Sequence, residues 1–153
     1  MADSRVMSSP TASNLAITPA AAAVALEGFF PGDLGIELLE IDDDHVVGRL
    51  VCDRRHLHPG GYVHGGVWVA FADTVAAWGT MRNLAPEQSF TTIELKTNVF
   101  ASGVVGDELL ATGEPLHRGS RTQVWEVRIN KGPTHQGRLA ANFVCTQLVL
   151  HPS

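Results

Sequence analysis

A chain of 153 residues suits one domain with a buried core. Its composition, 44% hydrophobic and 18% charged, is that of a globular protein rather than a disordered or fibrous one. A net charge of -5 argues against a nucleic-acid partner.

Residues 1–17, MADSRVMSSPTASNLAI, are rich in Ser, Ala and Thr and read as a mobile tail ahead of a single domain spanning 18–153. The stretch 18–32, TPAAAAVALEGFFPG, predicts a helix, with Thr18 as cap, Pro19 at the first helical position and Pro31-Gly32 ending it. Residues 35–41 and 45–52 predict a hairpin around the acidic turn Asp42-Asp43-Asp44. Val67 to Met81 is too long for a buried strand, and Ala70, Ala72, Ala76 and Ala77 favour helix. It is apolar on nearly every face, so it should be enclosed. Only strands are expected after it: 89–100, 107–117, 122–130 and 137–151. In the first of these, alternation puts Ile93, Leu95 and Val99 on one face and Thr92, Glu94, Lys96 and Asn98 on the other.

Strands grouped this way, without β-α-β alternation, indicate an α+β fold: an antiparallel sheet with one buried helix on its face. A helix apolar all round needs more cover than one sheet face, and an associating partner could supply it. Cys52 and Cys145 form no CxxC motif, no apolar run approaches the ~20 residues that span a bilayer, and the N-terminus lacks a signal-peptide pattern. The expectation is a cytoplasmic protein with no membrane partner.

The segment RRHLHPGGYVHGGVWVAFADTVAAWG, residues 54–79, holds the candidate chemistry. His56, His58 and His64 invite a metal reading, but they flank a Pro-Gly-Gly loop, no cysteine is near, and Asp53 is the one close carboxylate. A complete ligand set is not visible, so no metal is expected, and hydrogen bonding is the better role for His58 and His64. Asp73 stands alone in the apolar helix. An ionised carboxylate there is costly unless it is paired. Either it meets a structural partner such as Arg54 or a backbone group, or its raised pKa serves it as a base or nucleophile. Gly65 and Gly66 stand where the helix begins, where N–H groups lack partners and carry partial positive charge. A carbonyl held there would have its developing oxyanion stabilised.

Gly66 and Asp73 are seven residues apart, roughly 10 Å along a helix at ~1.5 Å per residue. One reacting carbonyl should lie ~3 Å from both donor and attacker. Two copies of the helix running antiparallel across a two-fold axis solve this, because the glycine end of one then faces the Asp of the other.

The residues HGGVWVAFADTVAAWG, followed by ELKTNVFASGVVGDELLATGEPLHRGSRTQVWEVRI, resemble the hotdog-fold acyl-CoA thioesterases, nearest the PaaI-like phenylacetate and 4-hydroxybenzoyl-CoA branches. The similarity runs from about Gly35 to Leu150. It implies a long antiparallel sheet wrapped around the central helix, in a homodimer or a tetramer built as a dimer of dimers. It implies that the Gly65 N–H polarises the thioester oxygen and that Asp73 attacks the thioester carbon or activates water. The position of His58 is often Gln or Asn in the family and contacts the acyl group or the water. Where some members hold the water with Thr or Ser one turn after the carboxylate, this chain has Ala77. Arg118, Ser120 and Arg121 lie in a turn where members often contact the CoA phosphates, for which Arg is suited. A solvated basic turn is the other reading.

No cofactor is implied, since coenzyme A is part of the substrate. The expected activity is hydrolysis of an acyl-CoA, with an aryl or phenylacetyl-type acyl group, to free acid and CoA. A thiolate leaves readily, its pKa being near 8.5, so one carboxylate and an oxyanion hole can suffice. Two alternatives remain: a hotdog enoyl-CoA hydratase or dehydratase, in which His64 would work with the Asp, and a non-catalytic acyl-CoA-binding module. Trp68, Phe71, Trp78, Phe100 and Trp125 are either an aryl pocket or core.

Overall fold

The computed structural model describes residues 17–152. The tail read at 1–17 lies outside them except for Ile17. Helix α1 spans Pro19–Leu26, with the Thr18 hydroxyl accepting from the Ala21 N–H at 3.2 Å. The helix does not run on to Pro31. Glu27 leaves it in an extended conformation and Gly28 takes a φ of +74°, so the chain turns early. Pro31 and Gly32 then fall inside a separate short helix, α2 (Phe30–Asp33), where a first-turn proline forfeits no hydrogen bond.

Strands β1 (Glu37–Ile41) and β2 (Val46–Val51) form the expected hairpin. A short 3-10 turn at Arg54–His56 leads to the long helix α3 (Gly65–Arg82). Four strands follow: β3 (Ser89–Val99), β4 (Glu108–Arg118), β5 (Thr122–Lys131) and β6 (Arg138–Leu150). They build one antiparallel sheet in the order β1-β2-β4-β5-β6-β3. The sheet curls around α3, which touches all six strands.

Trp68, Phe71, Ala72, Val75, Ala76 and Trp78 of α3 are buried against Leu50, Leu109, Trp125, Val127, Ile129 and Phe143. The close fit needs small residues where helix meets sheet. A Cβ on Gly79 would lie 2.5–2.7 Å from three ring atoms of the fully buried Trp125. Alanine there gains ~1 kcal/mol of helix propensity but overpacks the core at a cost of roughly 1–3 kcal/mol. The indole is enclosed and cannot swing aside, so the clash should win. Gly79→Ala is expected to lower the denaturant midpoint, and a midpoint at or above wild type would contradict this packing.

Two features of the sheet differ from the sequence reading. The pairing of β3 with β6 shifts register between Thr92 and Glu94, so Ile93 is an extra residue. Thr92 pairs with Gln147, and Leu95 with Cys145, both partners being buried on the helix side of β6. Thr92 therefore shares the helix-facing side with Leu95 and Val99 instead of opposing them. In addition, β3 closes the sheet as an edge strand, and Ile93, Leu95, Val99 and the following Phe100 are 41–55% exposed.

Candidate active site

The loop before α3 is built around His56, which is wholly buried. Its Nδ1 accepts from the Asp53 N–H at 2.8 Å, which leaves Nε2 to carry the proton and donate to the Leu34 carbonyl at 2.8 Å. The His56 carbonyl in turn accepts from the His64 N–H at 2.8 Å. This histidine thus ties the α2 end of the chain to the residue that opens α3. It is a structural anchor, with both ring nitrogens engaged by backbone groups.

His64 is the N-cap of α3. Its Nδ1 accepts from the Gly66 N–H at 2.9 Å, and its carbonyl accepts from the Val67 N–H at 2.9 Å. Among the described residues, the Gly65 N–H has no acceptor. Gly65 is exposed, and a Cβ there would meet nothing within 4 Å. Of the two glycines, Gly65 is the one with a free donor at the positive end of an 18-residue helix. His58 is half-buried beside Tyr62, its Nδ1 accepting from the Gly60 N–H at 2.9 Å. The three histidines are thus each engaged separately, and among the described residues no group of three or more potential ligands could hold a metal ion.

Asp73 lies in the middle of α3, half-buried on the side turned toward β3, with Val69, Ala70 and Ala77 partly open on the same helix. Its partner is not Arg54. The Thr92 hydroxyl donates to Asp73 Oδ1 at 3.0 Å and stands 3.0 Å from the side-chain amide of Gln147. Burial pushes the Asp73 carboxyl above the usual aspartate range, against the opposing pull of hydrogen bonds from Thr92 and Gln147. Among the described residues no cation offsets the cost and neutral donors hold the carboxylate, an arrangement that favours proton exchange over ion pairing.

The remaining predicted positions separate. Arg118 is committed to structure: it binds the Asp43 carbonyl at 2.9 Å, Asn83 Oδ1 at 3.0 Å and Asp44 at 2.7 Å, tying the hairpin turn to the C-terminal end of α3. Ser120 and Arg121 are exposed in the neighbouring turn, where the Ser120 carbonyl accepts from His151 Nε2 at 3.0 Å. Trp68, Phe71, Trp78 and Trp125 are core, at most 3% exposed, so of the five aromatics only Phe100 is accessible. A cleft of about 400 Å³ does open at the start of α3, lined by Phe30, Leu34, Arg55, Leu57, His64, Gly66 and Val67.

Thr92 and Gln147 were missed from sequence. Gln147 did leave a signal: alternation along β6 places it in line with Ala141, Phe143, Cys145 and Val149, a polar residue on an apolar face. Thr92 left none, because a bulge moved it to the inner side.

A curled antiparallel sheet around one helix, with a free glycine N–H at the helix start and an acid in its middle, defines a class. The chain belongs to the thioesterase superfamily, whose model matches residues 60–137, and is an acyl-CoA thioester hydrolase with the hotdog fold. It is 34% identical over 96 residues to a 1,4-dihydroxy-2-naphthoyl-CoA hydrolase of Listeria monocytogenes, covering 63% of this chain and 77% of that protein. It is 31% identical over 124 residues to a 1,4-dihydroxy-2-naphthoyl-CoA hydrolase of Escherichia coli, covering 81% and 88%. The structure of the PaaI protein from the phenylacetic acid degradation operon of E. coli superposes with a TM-score of 0.74 at 22% identity, covering 86% of this chain and 92% of that one. Among the described residues, no helix is long and apolar enough to cross a membrane.

Proposed function

We propose that the chain hydrolyses an aryl acyl-CoA to the free acid and CoA, with Asp73 as base or nucleophile and the Gly65 N–H of a second copy polarising the thioester carbonyl. The carrying observation is a carboxylate held by neutral donors in an apolar helix whose own N-terminal donor lies too far along the axis to share its carbonyl. The open edge of β3, with apolar side chains exposed along it, offers the surface on which a second copy would bring the two together. The dimer would also cover the half-open side of α3. Either Asp73 adds to the thioester carbon and water then splits the acyl-enzyme, or Asp73 takes a proton from water as the water adds. In both routes the oxyanion forms against the Gly65 N–H and the thiolate leaves.

The aryl preference rests on the naphthoyl-CoA hydrolases named above and on the cleft beside Gly66, which is mostly apolar and of ligand size. The setting we infer is the cytoplasm, where Cys52 and Cys145 stay reduced. The hydratase reading gains no support, since His64 spends its Nδ1 on its own helix.

Thiol release from a panel of aryl, phenylacetyl and alkyl CoA thioesters, followed with DTNB, tests this reading. Turnover of an aryl member well above the alkyl members is expected. Tight binding without thiol release would indicate a binding module, and water addition to an enoyl-CoA would indicate a hydratase. The pH profile carries a separate expectation. Asp73 must be ionised to act, and burial raises its pKa. Activity should therefore fall with acidification at a pH above the ~3.9 of an unperturbed aspartate. An acid limb of kcat/KM at or below that value would contradict the desolvated site.

A further inference from the structure

Thr92 Oγ1 is 3.0 Å from Asp73 Oδ1 and 3.0 Å from Gln147 Oε1, while Gln147 Nε2 is 3.4 Å from Cys145 Sγ. Gln147 and Cys145 are completely buried. A threonine hydroxyl has one proton and cannot donate to two acceptors. Only two proton arrangements satisfy the chain. If the Asp73 carboxyl is protonated, it donates to Thr92, Thr92 donates to Gln147 Oε1, and the Gln147 amide donates to Cys145 Sγ. If Asp73 is ionised, every bond reverses: a half-turn of the amide lets Nε2 donate to Thr92, Thr92 donates to Asp73, and the Cys145 S–H donates to Gln147 Oε1. The heavy atoms occupy nearly the same places in both, because the two ends of an amide are alike in shape.

We infer that Gln147 is a positioning residue for the active carboxylate: its amide commits the Thr92 hydroxyl to ionised Asp73, and the Thr92–Gln147–Cys145 chain reverses when Asp73 takes up a proton. The inference rests on the assignment of Asp73 as the reacting group. Gln147 sits behind Thr92 on the adjacent strand and need not touch substrate. A buried amide among Phe143, Cys145 and Val149 is costly unless bonded, and this chain supplies its partners. The cross-strand pairing of Thr92 with Gln147 fixes the contact, and the bulge at Ile93 turns Thr92 toward the helix. The titratable groups at this corner are Asp73 on α3 and Cys145 on β6, with Glu94 on β3 acting on Cys145. Burial drives the Cys145 thiol up to about 12, so it keeps its proton and stays a neutral donor. Gln147 is one of the two groups that hold the Asp73 pKa down.

The test compares Gln147→Met, which keeps length and burial but loses the amide, with Gln147→Glu, Thr92→Val, Thr92→Ser and Asp73→Asn, all on the full chain with a turned-over aryl-CoA. Gln147→Met is expected to lower kcat up to about tenfold with KM within twofold, the upper scale of one buried hydrogen bond. It should also move the acid limb of kcat to higher pH, because the amide that supports the Thr92 bond to the ionised carboxylate is lost. Gln147→Glu should move the limb further up, since an added acid repels a second charge nearby. Thr92→Ser should keep the wild-type limb and Thr92→Val should not. Thermal melting and elution volume establish which variants are folded. If folded Gln147→Met and Gln147→Glu both keep the wild-type kcat and acid limb, the inference is overturned. The same holds if they lose activity with the limb unmoved, because a purely structural role predicts that. Should Asp73→Asn itself retain full activity, the assignment of Asp73 fails first, and this result is distinguishable from the others.

Discussion

Asp73→Asn and Asp73→Ala are each expected to lower kcat at least ~10²-fold, with the protein folded and still able to bind acyl-CoA. Asn keeps the shape and can still accept from Thr92, so the fold has little reason to change. What disappears is a group able to hold negative charge or take up a proton. Removing a half-buried carboxylate that has no cationic partner among the described residues should leave stability unchanged or improved, because its desolvation is relieved. The combination of a large loss in kcat and no loss in melting temperature marks a site kept for chemistry at some cost to the fold. A folded variant whose kcat falls less than threefold would remove Asp73 from the mechanism.

The second large effect is restoration of activity by mixing two inactive chains. Gly65→Pro removes the free N–H at the start of α3, and proline is tolerated in a first helical turn. Homodimers of Gly65→Pro and of Asp73→Asn should each be nearly inactive. In a mixed dimer, one site receives both damaged residues and the other receives neither. Co-expression should therefore recover close to half of wild-type activity per mixed dimer, measured after tag-based separation. Circular dichroism and elution volume check that Gly65→Pro folds. Well-formed mixed dimers with no recovery would show that the Asp and the glycine do not meet across a two-fold axis.

Much of this fold was readable because periodicity carries it. The run from Val67 to Met81 could be nothing but a helix, and the strand grouping around it excluded a parallel sheet. The candidate site was readable only where it is local. Asp73 stood out as the one charge in that run, and Gly65 as the residue at its start. Position relative to other elements was not readable. One extra residue at Ile93 reverses the parity of β3, so alternation alone put Thr92 on the wrong side. Pro31 looked like a terminator but lies in the first turn of a second helix, because Gly28 had already broken the first. The anchoring role of His56 was not legible because its two partners, the Asp53 N–H and the Leu34 carbonyl, are backbone groups that leave no trace in side-chain pattern.

The burial of both cysteines has a bearing on the reaction itself. A thioesterase liberates a thiol at every turnover, and free CoA in the presence of oxidant can be driven into mixed disulfides with protein thiols. Attack in either direction needs a thiolate and a route to it. Cys52 is pushed up to about 11 and Cys145 to about 12, and both are 2% exposed or less. At neutral pH both thiols therefore keep their protons. Packing thus protects both sulfurs from thiolation by the enzyme's own leaving group. The same burial should keep both residues slow toward DTNB, and a protein-only blank in the thiol-release assay checks this.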